Sequence, residues 1–195
     1  AGQDAKLSFV VNKKPAGSTD LENFQIEGDG LAISGRIALD GDNEITTLSF
    51  PKFSIGTLTD MSIEAQRRND GVMQVRAEGP SYDARELFHT LISADQLTDS
   101  AKAETDSASN IDLTAKIGRL VGYDNSYATD VDVSLTKRGG ELVALNGRGL
   151  LSGQKPIKVE LQDNNGSRVL TASADDAGTA FRLIGFYRSL QGGTA

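Results

Sequence analysis

The chain has 195 residues, a formal net charge of −7 and 38% hydrophobic residues, with no cysteine and no tryptophan. Acidic and basic residues are interspersed, which excludes the clustered Lys and Arg that neutralise phosphates, so nucleic acid is not an expected partner. Without cysteine there is no disulfide scaffold, thiol nucleophile or Cys-ligated metal, and such a chain fits the bacterial periplasm and the cytosol alike.

Lys6 to Val11 alternates apolar and polar residues and reads as a first strand. Lys13 to Asp20 is a Pro/Gly/Ser loop, Phe24 to Glu27 a second strand, and Gly28-Asp29-Gly30 a turn. Leu31 to Leu39 alternates again, with Gly35 at its midpoint, where a glycine marks a bulge or a close backbone approach. Asp40-Gly41-Asp42-Asn43 is a tight hairpin connection. Ile45, Thr47, Leu48 and Phe50 continue a strand to Pro51, which suits an edge or a break. Ile63, Ala65, Val72 and Val75 flank a turn at Asn69-Asp70-Gly71.

The period then changes. Asp83-Ala84-Arg85-Glu86 has the capping-box arrangement, and Ala84, Leu87, Phe88, Leu91 and Ile92 fall on one helical face. Residues 96–109 are small and polar and read as a mobile loop. Alternation resumes at Ile111, Leu113, Ala115 and Ile117, and again at Val131, Val133 and Leu135 before the turn Lys137-Arg138-Gly139-Gly140. Leu142 to Leu145, Leu150-Leu151, Ile157 to Leu161 and Val169 to Ala172 follow, with a hairpin signal at Asn164-Asn165-Gly166. Asp175 or Asp176 caps a last helix carrying Ala177, Ala180, Phe181, Ile184 and Tyr187, its apolar face widened by Leu183, Phe186 and Leu190.

Residues 44–92 and 141–187 follow one pattern. Glu44-Ile45 matches Glu141-Leu142, Ile63-Glu64-Ala65 matches Ile157-Lys158-Val159, Gly71 matches Gly166, and Asp83-Ala84 matches Asp176-Ala177, at an offset of about 95 residues. The expected fold is therefore mostly β. It has antiparallel, strongly curved sheets of about twelve strands with two α-helices, from two similar β-meander-plus-helix repeats. The expected organisation is a first repeat over 1–95, the loop at 96–109, and a second repeat over 110–195. No apolar run approaches the roughly 20 residues that span a bilayer. Ala1-Gly2-Gln3-Asp4 is polar from the start, and Gln191 to Ala195 looks like a helix C-cap followed by a cut strand. The chain thus reads as a piece of a longer protein.

Chemistry is sparse. His89 is the only histidine, and no Gly-x-Ser-x-Gly elbow accompanies it, so a helix-surface histidine is the simpler reading. Asp40-Gly41-Asp42-Asn43-Glu44 lacks the Gly and Glu spacing of a calcium loop and reads as a turn. Asp175-Asp176 is more simply a cap than an acid/base pair. Gly147-Arg148-Gly149 lacks the third glycine of a dinucleotide fingerprint. Arg36, Arg67-Arg68, Arg119 and Lys137-Arg138 suit a solvated face, or anionic head groups at a groove mouth. No catalytic residue, metal ligand or cofactor is expected. What remains is apolar surface, and alternation alone does not separate an ordinary core from a groove lined by the same residue types.

Five motifs occur in order: Leu48-Ser49-Phe50-Pro51-Lys52-Phe53-Ser54, Ser81 to Leu87, Leu113 to Leu120, Leu135 to Leu142, and Asp175 to Gly178 running on to Gly185-Phe186-Tyr187. Together they resemble the C-terminal region of AsmA-like proteins, the group that includes YhdP-type and TamB-like members, over most of residues 30–193. The resemblance implies a bacterial protein anchored in the inner membrane by an N-terminal helix that this chain lacks, with its bulk in the periplasm. It also implies a long, twisted sheet lined with apolar residues that carries phospholipid toward the outer membrane and supports envelope integrity. The expected ligand is then phospholipid or another acyl-chain lipid, with an envelope protein as a further partner and no enzyme activity. Lining residues expected from alternation are Ile33, Ile37, Leu48, Ile63, Val131, Val133, Leu145 and Val159, with Phe88 and Phe181 from the helices. The alternative is an interaction module with a closed core that pairs by its sheet edge with a neighbouring segment or protein.

Overall fold

The structure, a computed structural model, describes residues 4–14, 17–89, 110–164 and 167–186. The expected loop at 96–109 and the positions Leu91, Ile92, Tyr187 and Leu190 lie outside them. Six strands come first: β1 (Ala5–Lys13), β2 (Thr19–Gly28), β3 (Leu31–Leu39), β4 (Ile45–Ile55), β5 (Thr59–Arg67) and β6 (Met73–Asp83). Residues 85–89 are helical and open α1. Then follow β7 (Ile111–Val121), β8 (Tyr127–Arg138), β9 (Glu141–Leu151), β10 (Lys155–Asn164), β11 (Ser167–Ala174) and α2 (Ala177–Ile184). Among the described residues no helix is long and apolar enough to cross a membrane.

Among the described residues eleven strands form one open sheet in chain order, with β1 and β11 as its edge strands. The count there is eleven rather than twelve. Strand β4 runs through Pro51, and β9 joins the two apolar runs at Leu142 and Leu150. The sheet is also not wholly antiparallel. Strands β6 and β7 pair in parallel, from Met73 with Ile111 to Asp83 with Val121. The 27 residues between Asp83 and Ile111 are long enough for the crossover that a parallel pair requires. This pairing also joins the two halves of the chain into one sheet. The segments matched in the sequence fall on β4 and β9, on β5 and β10, and at the starts of α1 and α2, with Gly166 outside the described residues, and the sheet itself does not divide into two repeats.

Bulges recur along the sheet. Strand β2 has an extra residue between Leu21 and Phe24, β4 between Phe50 and Phe53 and again at Thr46, β6 at Gly79-Pro80, β8 between Thr129 and Asp132, and β9 at Val143. Asn23 and Asp130 each take φ of 51° in their bulges, a left-handed conformation that Asn and Asp tolerate. Each bulge bends its strand and raises the local twist. Pro51 fits inside the sheet because a bulge leaves one residue out of the ladder. Gly35 faces that bulge, and a Cβ there would lie 2.0 Å from the Ser49 carbonyl oxygen and 2.4 Å from the Phe50 ring. Phe9, Phe24 and Phe50 run across this region, with ring centroids 6.4 and 5.5 Å apart.

One face of the sheet is polar. Glu78, Lys116, Asp132, Arg148 and Lys158 are successive cross-strand partners from β6 to β10. The first three pairs set opposite charges directly across the strands, which supports the register although each exposed pair is weak, whereas Arg148 faces Lys158 and these instead pair with Asp132 and Glu160. The other face is apolar, and the buried cluster lies at one end of it. Tyr82, Leu120, Ala128 and Leu151 form a cross-strand row, packed with Leu183 and Ala180 of α2 and Phe88 of α1.

Candidate functional site

Directly opposed residues in a sheet share a face, so the register assigns each side chain. A first row reads Val11, Leu21, Ile37, Leu48, Ala65, Val75, Leu113, Leu135, Leu145, Leu161 and Leu170. It crosses every strand without a polar residue or a glycine. At about 4.8 Å per strand it runs for about 48 Å. A second row reads Ile63, Ala77, Ala115, Val133, Gly147, Val159 and Ala172 over β5 to β11. A third contains Leu7, Ile26, Ile33, Phe53 and Met61 on β1 to β5, and Ile117 with Val131 on β7 and β8.

The eight expected strand residues therefore share one face. Ile37, Leu48 and Leu145 lie in the first row, Ile63, Val133 and Val159 in the second, and Ile33 and Val131 in the third. Alternation found the face but not the continuous first row. Eight of that row's eleven members were not singled out, because alternation gives no strand order and no register.

The helices cover this face unevenly. Capping seats α2: Asp176 accepts from the Thr179 backbone N–H at 2.9 Å and from its hydroxyl at 2.9 Å. The helix ends at Gly185, whose φ is 80°. Its expected positions are partly revised. Leu183 is buried, whereas Phe186 lies past the helix end and is exposed. At the first helix Ala84, just ahead of it, is buried and Phe88 half-buried, but Leu87 points outward and is exposed. Phe181 is half-buried, its ring 6.4 Å from that of Phe186. Burial is thus concentrated in the third row and beyond. Of the ten expected lining residues only Val131 is buried, and no member of the first row is. Val11 and Leu170, at its two ends, are 48% and 62% exposed.

One row further out, away from the helices, stand Leu39 and Ile45, then Arg67, Met73, Ile111, Lys137 and Leu142. Two of the expected basic residues, Arg67 and Lys137, thus flank the apolar rows. Arg67 pairs with Asp40 at 3.5 Å and with Glu44. Arg68 pairs with Asp70 and Asp112, and Arg138 also pairs with Asp112. Arg119 packs over the Tyr127 ring at 4.2 Å.

The remaining polar motifs are structural. Asp40 Oδ1 accepts from the backbone N–H groups of Asp42 and Glu44, and Arg67 supplies the cation of that turn. His89 is exposed. The Asp83 carboxyl is held below its ordinary value by hydrogen bonds from the Arg85 side chain. Asp60 is held low by the Ser54 hydroxyl and then Lys52, and Asp176 by the Thr179 N–H and hydroxyl. Burial raises Tyr82, with the Asp83 charge adding to it. Each shift has a local structural cause, and none falls in the first row.

No protein-family model matches the chain, and neither does any curated protein or solved structure.

Proposed function

We propose that the chain is a non-enzymatic periplasmic segment of an AsmA-like envelope protein, which shields acyl chains of phospholipid as they pass between inner and outer membranes. The observation that carries this reading is the first row. It is an unbroken apolar line across all eleven strands, and none of its members is buried. A soluble protein rarely leaves so long an apolar strip open unless something occupies it. Burying one methylene contributes about 0.8 kcal/mol, so a strip of this kind lowers the cost of holding a chain outside a bilayer. Lys137, beside the strip, suits an anionic head group. On this reading the matching segments on β4–β5 and β9–β10 are a duplication that lengthens the strip. On the same reading the protein reaches the inner membrane through an N-terminal anchor helix.

Native mass spectrometry after periplasmic expression, with lipid extraction, tests this. Phospholipid at about one or more per chain is expected, and it should be lost in a Leu48→Asp/Leu135→Asp variant whose β circular dichroism is unchanged. A lipid-free mass for the native chain, with no uptake from phospholipid vesicles, overturns it.

A further inference from the structure

We infer that the two edges of the sheet fit each other, so that a second copy of this chain joins head to tail, β11 of one copy beside β1 of the next. The observation is one of direction and register. A purely antiparallel meander of eleven strands would leave its first and last strands pointing the same way. The single parallel pair, β6 with β7, reverses this, so β1 and β11 run in opposite directions. A second copy that continues the sheet with the same face on the same side, turned by the sheet's own twist, therefore presents β1 antiparallel to β11.

The register then continues the pattern. Leu170 opposite Val11 extends the first row into the next copy. The same alignment sets Ala172 opposite Phe9 and Ala174 opposite Leu7, so the second and third rows continue too. On the polar face it sets Ser173 opposite Ser8. Asp175 meets Lys6, an opposite-charge apposition. The one like-charged apposition is Lys13 with Arg168, at the far end of the strands.

Among the described residues both edges are open to pairing. Strand β1 contains no proline and no bulge of its own, since the extra residue at its irregularity belongs to β2. Its Leu7 and Phe9 are 55% and 45% exposed. Strand β11 pairs with β10 without a shift. A long, regular, apolar edge is a template for another strand unless it is blocked. Joining unlike edges of identical copies gives an open series rather than a closed pair.

Sedimentation velocity over about 1 to 500 µM reads this directly, and it requires no lipid, so its outcome is independent of the function proposed above. The native chain should form a series of species that lengthens with concentration. Phe9→Asp blocks only the β1 edge and Leu170→Asp only the β11 edge. Each variant should sediment as a monomer, while their equimolar mixture forms a dimer through the one junction left intact. Far-UV circular dichroism and Tm confirm that both variants are folded. A native chain that stays monomeric overturns the inference. So does a Leu170→Asp variant that dimerises alone, which would mean β1 pairs with β1, or a Phe9→Asp variant that dimerises alone, which would mean β11 pairs with β11.

Discussion

The phenol of Tyr123 donates a hydrogen bond of 3.0 Å to the backbone carbonyl of Arg85, a residue 38 positions earlier in the chain. The Tyr123 backbone N–H donates to the Leu183 carbonyl at 3.1 Å, and Gly185 packs on its ring. One residue in the β7–β8 turn therefore ties both helices to the same end of the sheet. Tyr123→Phe removes only the bond to Arg85 and should cost about 1 kcal/mol in urea denaturation. Tyr123→Ala also removes the ring under Gly185 and should cost about 3 kcal/mol.

Gly122 lets α2 approach. A Cβ at this position would lie 2.0 Å from the Leu183 carbonyl oxygen, which belongs to backbone that cannot swing aside. Gly122→Ala should cost about 2 kcal/mol. It should also speed amide exchange in α2 well before exchange rises in β2 or β3. Equal acceleration across the sheet would contradict a local docking role.

Asp176 predicts an acid-sensitive helix. Its carboxyl lies below the ordinary value because the Thr179 N–H and hydroxyl bind the charged form, with Lys155 adding at 3.4 Å. A carboxyl depressed in the folded state contributes fully above its unfolded value, about 3.9, and loses that contribution as pH falls through the lower folded value. Asp176→Ala should cost about 1 kcal/mol near pH 7. Asp176→Asn keeps a cap without the charge, so its difference from the native protein should shrink as the pH drops below about 4. A difference that stays constant from pH 7 to 3 would show that the charge contributes nothing.

Arg67 closes the β3–β4 turn electrostatically. It is mostly buried between the carboxylates of Asp40 and Glu44. Arg67→Met keeps the stem and removes the charge, leaving two carboxylates facing each other. A loss of about 1 kcal/mol is expected. Denaturation midpoints of the two proteins check it.

Most of the strand content was legible because each strand alternates on a half-solvated sheet, as Leu31 to Leu39 and Ile111 to Ile117 do. Pro51 misled because a bulge admits proline where a regular ladder does not. The parallel β6–β7 pair was implicit in a strand, a helix and a strand in succession, but pairing partners are set by tertiary contacts that no local window contains. The same limit applies to the site. Val133 and Val159 were recognisable as apolar and alternating, yet their common row through Gly147 exists only once β8, β9 and β10 are in register. Leu87 was assigned to the buried stripe by spacing and is exposed, because the stripe that α1 buries is centred on Ala84 and Phe88.

Extra residues fall on β2, β4, β6, β8 and β9, two of them on β4, whereas β10 and β11 pair without one. Turning is therefore spread across the breadth of the sheet rather than set at a single corner. Losing a hairpin that carries a bulge, such as β2–β3, should shorten the apolar strip by two side chains and relax the bend locally as well, so length and curvature change together.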